Sequence, residues 1–128
     1  MNVLSPAAMN IILRTIAWIS AAAVAFATLA PPTYRPHSDL SQNGEHALAF
    51  VLVGLAFGLA YGRNRWATAA LSVVLIGVLE IMQLWIPGRH ARLEDFAVDA
   101  LAACTGLAFS AALDWAIKRV RRPSIGTS

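Results

Sequence analysis

The chain has 128 residues, 58% of them hydrophobic and only 13% charged, with a mean hydropathy of +0.60. A soluble domain carries about a quarter charged residues, so this balance points to an integral membrane protein, and its hydrophobicity excludes disorder for the bulk. The net charge of +3 does not imply nucleic acid, because Lys118, Arg119, Arg121 and Arg122 cluster behind an apolar segment, as juxtamembrane basic tails do, without any recognition motif.

Four apolar segments follow in order, at about 11–30, 45–61, 66–86 and 96–117. Each approaches the twenty residues that a helix needs to cross a ~30 Å hydrocarbon core. The second is the shortest. None alternates as a barrel strand would, so helices are the viable spanning structure. The expected fold is all-α: one four-helix transmembrane domain over 1–122, followed by a disordered tail at 123–128. Pro31-Pro32 ends the first segment, and Pro36 and Gly44 mark the loop after it. Gly62-Arg63-Asn64-Arg65 forms a tight turn, and Pro87-Gly88 closes the third segment. A competing reading makes the first segment a cleavable signal peptide. Its apolar length and Pro31 directly after the candidate Ala30 site argue against that.

Orientation follows from the basic residues. One side of a four-span topology holds Arg14, Arg63, Arg65, Lys118, Arg119, Arg121 and Arg122, and the other only Arg35, Arg89 and Arg92. The positive-inside rule places both termini in the cytoplasm. Trp18, Trp66, Trp85 and Trp115 mostly lie near segment ends and read as interfacial anchors. Gly54, Gly58 and Gly62 recur every fourth residue on the second segment, and Ala102, Gly106 and Ser110 do so on the fourth. Small-residue stripes let helices approach closely. They serve either packing within the chain or a homodimer face, and the stripes do not decide between them. Cys104, the sole cysteine, forms no intrachain disulfide and reads as a small packing residue.

The remaining polar residues gather at the outward ends. Glu45 and His46 open the second segment, Glu80 and Gln83 share a face near the end of the third, and Asp95 and Asp99 share a face at the start of the fourth. Arg89 and Arg92 lie in the loop between. Glu80 and Asp99 fall at similar depths, each a turn or more inside its helix end. Ionisable groups in hydrocarbon cost roughly 2.5–3.5 kcal/mol each on insertion scales, so this cluster is the candidate site. It is either a structural clamp of ion pairs and hydrogen bonds or a ligand or catalytic site. Asp95, just before Phe96, is expected to cap the fourth helix. No H-E-x-x-H, G-x-S-x-G or phosphate loop is present. No spacing is diagnostic of a metal site, and no cofactor is expected.

The order Thr28-Leu29-Ala30-Pro31, Glu45-His46-Ala47-Leu48-Ala49-Phe50, Glu80-Ile81-Met82-Gln83, Pro87-Gly88-Arg89 and Leu93-Glu94-Asp95 resembles the VanZ-like family of small bacterial membrane proteins. The resemblance runs from Thr28 to about Gly106. It implies that His46, Phe50, Glu80, Gln83, Arg89 and Asp95 occupy the family's recurrent positions. It also implies a bacterial cytoplasmic-membrane location and a link to low-level resistance to the glycopeptide teicoplanin. The chain departs from the pattern at Gln42-Asn43, where an Asp-Lys pair is expected, at Asp99, where an Asn is expected, and at Ala102, where a Gly is expected. The leading expectation is a non-enzymatic protein that sits among membrane lipids and binds a cell-envelope lipid or its head group. The alternatives are a subunit or assembly factor docking a partner membrane protein, and an enzyme acting on a lipid-linked substrate with His46 or a carboxylate as acid or base.

Overall fold

The computed structural model describes residues 3–30, 42–87 and 92–122, with side chains from Gly44 onward in the second stretch. Four helices make up the described chain: α1 (Pro6–Leu29), α2 (Gln42–Ala60), α3 (Arg65–Gln83) and α4 (Leu93–Arg121). No strand occurs among the described residues, and the chain is an all-helical bundle. Three helices are long and apolar enough to cross a membrane; the apolar part of α2, Gly44–Ala60, is shorter. The tail from Pro123 onward lies outside the described residues.

Local chemistry sets the helix ends. Ser5 caps α1 by accepting from the Ala8 N–H at 3.2 Å, and Pro6 fills the first helical position, where no N–H is needed. Ala30 leaves the helix with φ −66° and ψ 147°, the extended conformation that a following proline imposes on its neighbour. Asn64 caps α3 through its side-chain oxygen, which accepts from the Ala67 N–H at 3.4 Å. Regular α-helix stops at Gln83, but Leu84, Trp85 and Ile86 donate to carbonyls three residues back, at 3.1, 3.2 and 3.1 Å. The third apolar segment thus runs on to Ile86 as a tightened turn. The last turn of α4 carries Lys118, Arg119 and Arg121, the charge that complements a helix C-terminus.

Packing is uneven around the bundle. The most extensive contact joins α2 to α4, followed by α1 to α2 and α3 to α4, while α1 and α3 meet only lightly. The small-residue stripes explain the α2–α4 seam. A Cβ at Gly54 would run into the Ala103 carbonyl oxygen, one at Gly58 into Ser110 Oγ, and one at Gly106 into the Val51 carbonyl and the Leu55 amide nitrogen. The glycines of α2 and α4 therefore face each other within one chain, which allows backbone-to-backbone contact. Gly62 differs: it lies beyond the end of α2, and a Cβ there would meet the Arg65 guanidinium at 3.3 Å.

The core is small. Phe50, Ile76, Ala102 and Ala103 form its centre, with Val24, Ala47, Val51 and Phe96 packed around it. Many large apolar side chains point outward instead, among them Ile11, Phe26, Leu52, Leu71 and Leu101. That surface suits hydrocarbon rather than water. All four tryptophans are exposed.

Candidate functional site

The antiparallel order of the helices gives the bundle two unlike ends. One holds the end of α1, the start of α2, the end of α3 and the start of α4, and so carries most of the acidic residues. The opposite end carries Arg14, Arg63, Arg65 and the basic last turn of α4.

At the acidic end, three polar side chains of α3 and α4 are buried: Glu80 at 7% exposure, Gln83 at 5% and Asp99 at 3%. Glu80 and Gln83 are one turn apart on α3, so both turn the same face toward the interior. Asp99 enters from α4. Its carboxyl lies within hydrogen-bonding reach of the Glu80 carboxyl, and the Asp95 carboxyl is near enough to act on it electrostatically. Gly77, one turn below Glu80, lets the Phe96 ring approach to 3.4 Å from where a Cβ would sit. The α3–α4 contact beneath the acids is thereby apolar and close.

Of the other polar residues singled out in the sequence, those described are less buried. Glu45 and His46 are half-buried in the first turns of α2, and Asp95 is half-buried on α4. Asp95 is not the cap of α4. The helix begins at Leu93, Arg92 holds the cap position without a side-chain cap bond, and Asp95 falls in the first turn beside Glu94. Two acids there interact favourably with the helix N-terminus, which is why the helix starts earlier than a capping Asp95 would allow. Arg92 is exposed. Arg89, with His37 and His90, lies outside the described residues. Among the described residues, no three His, Cys, Asp or Glu side chains converge as metal ligands would.

Thr28, which opens the Thr28-Leu29-Ala30-Pro31 run, carries no role predicted from the sequence. It is 1% exposed near the end of α1, and its Oγ1 has no hydrogen-bond partner among the described residues. A buried hydroxyl without a partner costs about 1–3 kcal/mol. Helical threonines ordinarily bond the carbonyl four residues back, as Thr15 does to Ile11 at 2.8 Å. Nothing in the local sequence separates Thr28 from Thr15; only burial does.

The basic end holds a second polar network. Arg65 reaches across from α3 to α4, where Nη1 donates to Ser110 Oγ at 3.0 Å and Nη2 pairs with Asp114 at 3.4 Å. Ser110 is fully buried, and its hydroxyl donates in turn to the Leu107 carbonyl at 2.6 Å. Lys118 also pairs with Asp114, at 2.9 Å across one helical turn. Ser110 is thus both a small packing residue and a hydrogen-bond relay. The readable signal was Asp114, a lone acid inside an apolar segment with a lysine four residues on.

No curated protein and no solved structure matches the chain. The family model described as VanZ/LLP1 matches residues 3–114. That match covers the whole bundle down to Asp114, including the Glu80, Gln83 and Asp99 cluster, and the chain belongs to the VanZ-like family.

Proposed function

We propose that the acidic end is the outward face of a VanZ-like membrane protein and binds the head group of a cell-envelope lipid. The observation that carries this reading is the burial of Glu80, Gln83 and Asp99 together at one end of a bundle with an apolar surface. Polar groups at that depth are expensive and mark a ligand path by default. Carboxyls and an amide offer acceptors and donors suited to an amine or to sugar hydroxyls. The bare Thr28 hydroxyl adds a donor at the same end. The excess of basic residues at the opposite end supports placing that end in the cytoplasm of a bacterial cell.

The test is native mass spectrometry of the wild-type protein beside a Glu80→Gln, Asp99→Asn variant. The expected result is a specific envelope lipid retained by wild type and lost from the variant, with both melting at about the same temperature, since the amides keep shape and hydrogen-bonding capacity. Equal lipid content with a lower melting temperature in the variant would make the cluster a structural clamp. In cells, the family's association with teicoplanin supplies the readout. Expression of wild type should raise teicoplanin tolerance, and expression of the variant should not.

The subunit reading has less in its favour, because the glycine stripes that a partner helix would use face one another across α2 and α4. Chemical crosslinking of the protein in its native membrane tests it, with a reproducible hetero-oligomer as the result that would revive it.

A further inference from the structure

The light contact between α1 and α3 leaves a groove of about 670 Å³ along the bundle. It begins at the basic end beside Arg14, Arg63 and Asn64 and runs inward to Val24, Phe50 and Ile76. On α1 the lining spans Asn10 to Val24, about 21 Å along the axis. The lining is polar at the mouth and mostly apolar beyond it, where the Thr68 and Ser72 hydroxyls donate to carbonyls of their own helix.

The mouth is built. Arg14 lies over the Tyr61 ring at 4.9 Å, the Tyr61 hydroxyl accepts from Trp18 Nε1 at 2.9 Å, and Trp18 meets Phe57 edge-on at 5.3 Å. These contacts hold Arg14 at the entrance rather than leaving it to wander. Among the described residues, neither Arg14 nor Arg63 forms an ion pair with a carboxylate, whereas Arg65 and Lys118 nearby both pair with Asp114. Two unneutralised guanidiniums at the head of an apolar groove complement an anionic amphiphile.

The shape narrows the occupant. A volume of about 670 Å³ spread over about 21 Å gives a mean cross-section near 32 Å², roughly two-fifths that of a helix 10 Å across. A partner helix does not fit, but extended acyl chains do. We infer that the groove binds an anionic phospholipid, its chains against Trp18, Phe50 and Ile76 and its phosphate between Arg14 and Arg63. This site stands apart from the acidic end and does not depend on the reading given to that end.

The test uses Trp18 as the reporter. A Trp66→Phe, Trp85→Phe, Trp115→Phe variant, reconstituted in phosphatidylcholine vesicles, retains tryptophan only at the groove. Phosphatidylglycerol brominated in its acyl chains should quench Trp18 at a roughly ten-fold lower mole fraction than brominated phosphatidylcholine, the preference expected of two arginines beside an anionic head group. In the same background, Arg14→Gln with Arg63→Gln should bring the two lipids to parity. Ala21→Leu, which fills the groove beside Trp18, should weaken quenching by both. Arg119→Gln with Arg121→Gln, on the basic tail, should leave the preference intact. Equal quenching by the two lipids before substitution would overturn the proposal. So would a preference that survives loss of Arg14 and Arg63, or one that follows the tail. Loss of the preference on adding inorganic phosphate, but not chloride at matched ionic strength, would make the mouth a site for free phosphate and overturn the lipid assignment.

Discussion

The α2–α4 seam and the α1–α3 flank are drawn from similarly apolar helices, yet one is sealed and the other is open. The difference is side-chain size at the contact. Along the seam, Gly54, Gly58 and Gly106 meet Ala103, Ser110 and the Val51 backbone, so the two helices touch through main-chain atoms. Across the flank, Trp18 of α1 and Leu71, Leu75 and Leu79 of α3 line the gap. In lipid there is little hydrophobic force to close such a gap, because hydrocarbon solvates it as well as protein does. Close packing therefore occurs where the residues are small, and a groove persists where they are large.

Breaking the seam should have the largest effect. Gly106→Ala places a Cβ against main-chain atoms of α2 that have no rotamer by which to escape. A loss of about 1–3 kcal/mol is expected, read as a lower unfolding midpoint in a detergent titration. Gly106→Leu should fail to yield folded protein at all. If Gly106→Ala were neutral, the seam would not be the main contact of the bundle.

The seam is also pinned at its basic end, by Arg65. Arg65→Gln removes the donor to buried Ser110 and should cost about 1 kcal/mol, a hydrogen-bond-sized loss discounted for the partial exposure of the guanidinium. Thermal unfolding followed by circular dichroism measures it. An unchanged midpoint would mean that water replaces the arginine at Ser110 without loss.

A smaller effect of opposite sign is expected between α3 and α4. A Cβ at Gly77 would meet only the Phe96 ring, at an ordinary 3.4 Å. Gly77→Ala should therefore stabilise by up to about 1 kcal/mol through helix propensity. Destabilisation there would show that the α3–α4 contact tolerates as little as the α2–α4 seam. The smallest effect belongs to Lys118→Gln. The Lys118 side chain is 72% exposed in its pair with Asp114, and exposed pairs across one helical turn add little. The midpoint should not move measurably, and a clear drop would mean that Asp114 depends on Lys118 as well as on Arg65.

Much of the fold was legible because hydropathy over about twenty residues is a one-dimensional property. Pro31-Pro32 ended α1 through the conformation it imposes on Ala30, and Gly54, Gly58, Gly106 and Ser110 announced close packing through their spacing. The start of α4 was not legible, because Asp95 satisfies the rule for a cap and the rule for a first-turn acid equally well. The meeting of Glu80 with Asp99 was readable only as a match of depth. Sharing a depth does not place two side chains on facing sides of neighbouring helices.

The sequence by itself determined the all-helical membrane class, the order of the four segments, the asymmetry of charge between the two ends and the family. The first three follow from composition and periodicity along the chain, and the family from the resemblance that its motifs carry; no folding step alters any of them. Only the tertiary structure decided that the two glycine stripes pair with each other, that Arg65 reaches Ser110 and Asp114, that Thr28 is buried, and that a groove opens beneath Arg14 and Arg63. Those facts depend on the rotation of each helix about its own axis. Rotation is set by which small faces find one another in the bundle, and it is not written in any single segment.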